Sequence, residues 1–146
     1  VEGERARRKP PGNLDAWDAS VRGWWHFQRF TREDFAAAMP LFLRSLELDA
    51  SQAMPHAGIA MVRLCEVFFL WTDKPRDTLG EAMTSARAAL AADPLESTAY
   101  AALGFVLAVT GKHDDALAMC SKGIELNPSL ALGITFFASR ASALAA

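Results

Sequence analysis

The stretch Tyr100 to Pro128, YAALGFVLAVTGKHDDALAMCSKGIELNP, decides the fold. Tyr100, Leu103, Gly104, Leu107, Gly111, Ala116, Cys120 and Pro128 form a spaced set of large, small and turn residues within it. It closes on Ile124-Glu125-Leu126-Asn127-Pro128, and a phrase of the same form occurs twice upstream, as Leu46-Glu47-Leu48-Asp49-Ala50 and Leu90-Ala91-Ala92-Asp93-Pro94. Each phrase ends a helix with an apolar turn. Each then offers Asp or Asn as an N-cap, followed by Pro or Ala at the first helical position, where a missing N–H costs nothing. Gln52 and Glu96 stand where a capping box would place them after Asp49 and Asp93, whereas Leu130 fills that place after Asn127. The chain is expected to reverse at every phrase. Asp49 to Asp93 is 44 residues and Asp93 to Asn127 is 34.

The spaced set resembles a tetratricopeptide (TPR) repeat, with its pattern W-x2-L-G-x2-Y, then A-x3-F, then P, and its period of 34 residues. A helix pair of that kind cannot bury its own apolar face, so it needs stacked neighbours. The resemblance implies an all-α fold, a short right-handed TPR-type superhelix of antiparallel helix pairs with about seven helices. Repeat one covers 14–50, repeat two 51–94, repeat three 95–128, and an extra helix 129–146, either half a repeat or a cap. Residues 1–13, charged and then Pro-rich at Lys9-Pro10-Pro11-Gly12, read as a linker from an upstream domain. Signature positions are Gly23, Ala38, Phe42 and Ser45 in repeat one, and Gly58, Ala82, Ala86 and Ala89 in repeat two. The ten residues of excess in repeat two are expected as a loop between its helices near 69–75, and Thr31 as the cap of the second helix. Ala19 and Met54 depart from the pattern's large aromatic. Pro40 removes a hydrogen bond to the Ala36 carbonyl and is expected to bend its helix, and with Pro55 the next helix either starts near Ala53 or opens with an irregular turn.

Composition narrows the function. The chain has 146 residues, 51% of them apolar, a net charge of −2 and a pI near 5.9. That is one domain's worth of chain, without the basic balance of a phosphate-binding surface. No nucleic acid partner is expected, and the aromatic-basic cluster Trp24 to Phe30 reads as core and groove. No apolar run is long enough for a membrane span and no leader pattern opens the chain, so a cytoplasmic location away from membranes is expected. Cys65 and Cys120 read as buried free thiols. His26, His56 and His113 are scattered without Cys or carboxylate partners at metal-ligand spacing, and no phosphate loop or nucleophile motif occurs. The expectation is a noncatalytic piece with no catalytic residue, cofactor or metal.

A more specific likeness lies in Arg8 to Trp17, in Arg22-Gly23-Trp24-Trp25-His26, in Arg29 to Asp34, in Phe69 to Asp73 and in Asn127-Pro128-Ser129. These resemble the TPR segment of bacterial multidomain signalling proteins, in which the repeats follow a class III adenylate or guanylate cyclase domain or a winged-helix regulator domain. The resemblance implies a protein-protein interaction module serving an upstream output domain. TPR proteins that hold peptides use the concave wall, at positions that map here to Trp24, Phe27 and Gln28, to Ile59, Val62 and Arg63, and to Phe105, Ala108 and Val109. The wall so defined is mostly apolar and suits a segment of another protein or of the parent chain. Ala101 and Phe105 occupy places where carboxylate-clamping relatives carry polar residues, which argues against a chaperone-tail ligand. The alternative is a dimerisation scaffold, a homodimer that brings two output domains together. Trp71 reads either as a partner anchor or as a plug closing its helix pair.

Overall fold

The computed structural model describes residues 13–145, so the expected linker lies, apart from Asn13, outside the described residues. Among the described residues there are seven α-helices, one 3-10 turn and no strand. They are α1 (Leu14–Arg29), α2 (Arg32–Leu48), α3 (Ala53–Phe68), α4 (Pro75–Ala92), α5 (Ser97–Val109), α6 (His113–Leu126), the turn Pro128–Leu130, and α7 (Ala131–Ala145). The tightest packing is between α1 and α2, α3 and α4, and α5 and α6. Short connections make each of these an antiparallel pair. α2 packs on α3 and α4 on α5, while α3 also touches both α1 and α5 to form an inner layer. The protein is therefore an all-α helical repeat. No helix among the described residues is long and apolar enough to cross a membrane.

The three recurrent phrases fold alike, with a correction to their expected role. Asp49, Asp93 and Asn127 adopt nearly the same extended backbone, with φ of −158°, −147° and −146°. Each ends one helix by donating its N–H to Ser45, Ala89 or Gly123. Each side chain then accepts the N–H two residues on, from Ser51, Leu95 or Ser129. These are Asx turns, a motif that competes with direct helix capping. The following helices start later: Gln52 and Glu96 become the N-caps of α3 and α5 instead of closing a capping box. Thr31 does cap α2, its hydroxyl accepting the Asp34 N–H at 3.0 Å.

The excess length of repeat two is mostly helix. α3 runs from Gly58 on to Phe68, whereas α5 ends at Val109 soon after Gly104. α4 begins at Pro75, well ahead of Ala82, whereas α6 begins just ahead of Ala116. The insertion lengthens both helices of the pair and leaves a short turn at 69–74. Helix α2 continues through Pro40 to Leu48, and Pro55 lies in the first turn of α3, where its absent N–H would have had no intrahelical partner.

Packing explains the small residues. The Phe42 ring, fully buried, lies between the pairs: a Cβ on Gly23 would stand 2.6 Å from it, and a Cβ on Gly58 would collide with it too. Ala38, Ala82 and Ala116 are buried at the matching place of α2, α4 and α6. Ser45 spans the first pair, donating to the Ala16 carbonyl at 2.6 Å.

Candidate functional site: the inner layer and its tryptophan cleft

The inner faces of α3 and α5 are covered from within the chain. After the 3-10 turn, α7 does not stack along α6 but lies on α5 and, more lightly, on α3. Among its described side chains, Ile134 and Phe137 are buried. The Phe137 ring sits 5.1 Å from Phe105 and 5.4 Å from Phe68, centroid to centroid. The lengthened end of α3 makes this seat, since Phe68 and Phe69 belong to the inserted turns. Phe30, Phe69 and Phe136 continue the ring cluster outward to the surface.

The nine residues expected on an open wall therefore separate. Ile59, Val62 and Phe105 are 8%, 3% and 1% exposed and belong to the core, and Phe27 joins them by stacking on Phe35. Ala108 and Val109 are half-buried against the same cluster. Arg63 turns away to its neighbours on α3 and α4: its guanidinium meets Glu66 and Glu81, each at 2.8 Å. Trp24 and Gln28 reach an accessible cleft, Phe27 at its edge, while Arg63, Ala108 and Val109 stay partly exposed elsewhere. In repeats two and three, apolar side chains at that spacing also seat the terminal helix.

Trp24 and Gln28 line an open cleft of 480 Å³ between α1, the starts of α3 and α5, and the turn into α7. Trp17, Val21 and Trp25 complete the α1 side, Met54 and Thr98 the far wall, and Asn127, Ser129 and Leu130 the end. Trp24 is fixed by its indole N–H, which donates to the Met54 carbonyl at 3.1 Å, and by edge contacts with Phe27 and Phe42. Trp25 is 53% exposed, with the Arg29 guanidinium 5.0 Å from its ring centre. The result is a rigid apolar hollow with amide and hydroxyl groups at its edges, the composition of a site for an apolar side chain on a polar backbone. Trp17, Val21, Met54 and Leu130 were not among the expected site residues. The α1 stripe of Trp17, Val21, Trp24, Trp25 and Gln28 at helical spacing was the available signal.

Beside the cleft, the α1–α2 corner holds a polar cluster. The Asp34 carboxylate accepts from Thr31 at 2.8 Å and Arg29 at 3.2 Å, and pairs with His26 Nδ1 at 2.8 Å. These partners, His26 foremost, hold its pKa below the ordinary carboxylate value. His26 thus acquires the carboxylate partner that sequence spacing did not provide. His113, Asp114 and Asp115 are exposed at the start of α6. Burial lowers the His56 pKa and raises those of the thiols Cys65 and Cys120, which are free. Trp71 folds back on the preceding pair, 5.8 Å from Phe35 on α2 and 5.1 Å from Phe69, under the Arg32 guanidinium.

Over 116 residues the chain is 28% identical to a protein of Rhizobium meliloti (strain 1021) named "Putative adenylate cyclase 3". That similarity covers 78% of the chain but 20% of the relative, so the chain spans about a fifth of that protein's length. No family model matches the chain.

Proposed function

We propose that this chain is a noncatalytic TPR-type interaction module of a bacterial signalling protein, acting in the cytoplasm beside a nucleotide cyclase or DNA-binding output domain. Its partner is a protein segment that anchors an apolar side chain in the tryptophan cleft. The observation that carries this reading is that the cleft opens on the inner layer beside the turn into α7 and is lined by three tryptophans. Rigid aromatic side chains around a hollow are the usual anchors of partner recognition. Similarity to a cyclase-named protein supports the signalling context. The test is a display screen of random peptides against the chain, followed by titration of the selected peptides. Val21→Asp and Trp25→Ala are expected to weaken them at least tenfold while circular dichroism stays unchanged; peptides indifferent to both changes would remove the cleft from the proposal.

A second reading is favoured by the outer side of α7. Leu132 and Phe136 are 86% and 46% exposed, and Phe136 adjoins the 41%-exposed Phe30. An apolar patch of that kind suits a homodimer interface that would pair two output domains.

A further inference from the structure

The second helices of the three pairs carry one face at matching positions. Counting from the buried alanines Ala38, Ala82 and Ala116, Met39 and Phe42 of α2 correspond to Met83 and Ala86 of α4 and to Leu117 and Cys120 of α6. In the first two pairs the next first helix packs on this face. Phe42 and Ala86 are fully buried there, and Met39 and Met83 half-buried. The cover on α2 has a definite register: Gly58 of α3 abuts the Phe42 ring, Val62 lies beside Met39, and Ile59 beside Leu46. On α6 the same face is open. Leu117 is 69% exposed and Cys120 is only half-buried, since α7 turns onto α5 and α3 instead of lying along α6. Ile124, half-buried and seven residues after Leu117, continues the stripe in the place of Leu46. The last helix of a closed repeat array presents a polar outer face, whereas Leu117, Cys120 and Ile124 keep the apolar stripe of an internal one.

We propose that this face of α6 binds a helix of a partner protein, which stacks on the end of the array as α3 stacks on α2. The internal interface specifies the occupant. Because Val62 lies beside Met39 and Ile59 beside Leu46, the covering helix runs antiparallel to the one it covers. The partner is therefore an amphipathic helix antiparallel to α6, with two aliphatic residues three positions apart over Ile124 and Leu117 and polar residues on its outer side. The face belongs to a second helix and shares no residue with the tryptophan cleft, so the inference goes beyond the cleft and stands or falls separately.

The test uses the full chain and a fluorescent synthetic peptide of residues 53–68 carrying Cys65→Ser. Glu–Lys pairs at i, i+4 on its outer side hold it helical, as confirmed by circular dichroism before use. Saturable binding to the chain is expected, and Leu117→Asp, a change at an exposed position that leaves the fold intact, is expected to weaken it at least tenfold. Val21→Asp in the cleft and Leu132→Asp on α7 place equal charges elsewhere and are expected to leave binding at the parental level. Cys120 supplies a readout that needs no variant. Cys65 is fully buried, so a maleimide reacts with the folded chain at Cys120, and saturating peptide is expected to slow that reaction at least tenfold. A helical peptide that fails to bind, that binds the parent and Leu117→Asp chains alike, or that binds without shielding Cys120 overturns the proposal. A chain whose own mass rises with concentration and returns to one chain in Leu117→Asp would give the face to a second copy and overturn it equally.

Discussion

Single side chains decide whether the helix pairs can close. Phe42 fills the space that Gly23 and Gly58 leave open, so Phe42→Ala should cost about 3–5 kcal/mol, read as a shift in the denaturant midpoint. At Gly104 a Cβ would collide with the Cys120 sulfur and come within 3.1 Å of the Ala116 carbonyl oxygen. Gly104→Ala should therefore cost about 1–3 kcal/mol. Adding Cys120→Ala removes the nearer obstacle, so the double variant should be more stable than the sum of the two single effects, a coupling that a double-mutant cycle measures. Strict additivity would show that the sulfur is not the obstacle. Leu70 presents the opposite case. Its φ of 58° places a branched side chain, 73% exposed, in the left-handed region, while the corresponding helix end of repeat three uses Gly111 at φ 85°. Both ends make the same pair of closing bonds, Leu70 to Val67 and Trp71 to Glu66 in one, Gly111 to Ala108 and Lys112 to Leu107 in the other. Left-handed backbone costs a non-glycine residue about 1–2 kcal/mol, and the entropy of glycine returns part of that. Leu70→Gly should accordingly stabilise the chain by about 0.5–1 kcal/mol in a urea titration.

At the level of elements, the corner between α1 and α2 links stability to pH. Asp34 has a folded pKa below its unfolded value, chiefly through its hydrogen bond with His26 and then with Thr31. Its contribution is present above the ordinary carboxylate pKa of about 4 and is lost as pH falls through the depressed folded value. Asp34→Asn should flatten that acid limb, seen as a smaller loss of melting temperature between neutral and strongly acid solution than in the parent chain; an unchanged limb would place the acid sensitivity elsewhere. Thr31 was legible as the cap of α2 because a lone Thr stands between two periodic segments. The three Asx-turn phrases marked every reversal between pairs but misplaced the next helix start, since an Asp or Asn side chain can serve a turn or a cap and composition does not distinguish them. The connection of repeat two stands where it was expected, at 69–74, but the lengthening of the helices on either side was not legible, for a related reason. Without a glycine at the end of α3, nothing in the sequence separated a long loop from two longer helices, and Leu70 conceals the turn.

For the whole molecule, the placement of α7 decides which surfaces face outward, and this was the least legible feature. Its sequence, ALGITFFASRASALA, is apolar on several faces, so no stripe says which side is buried or on what. The answer depends on a distant element: only because α3 is extended do Phe68 and Phe69 reach the place where Phe136 and Phe137 settle. With Ile134 and Phe137 spent on that seat, Leu132, Phe136 and Phe30 are left facing solvent. The six-helix core draws its buried residues from every pair, so changing this outer patch should not disturb folding. The scaffold reading then makes a definite claim. Light scattering over a concentration series should show the mass climbing from one chain toward two, and Phe136→Asp should hold it at one chain at every concentration with helicity retained. A mass that stays at one chain in the unaltered protein would eliminate the dimer and leave the patch to a different molecule; a dimer that survives Phe136→Asp would move the interface away from α7.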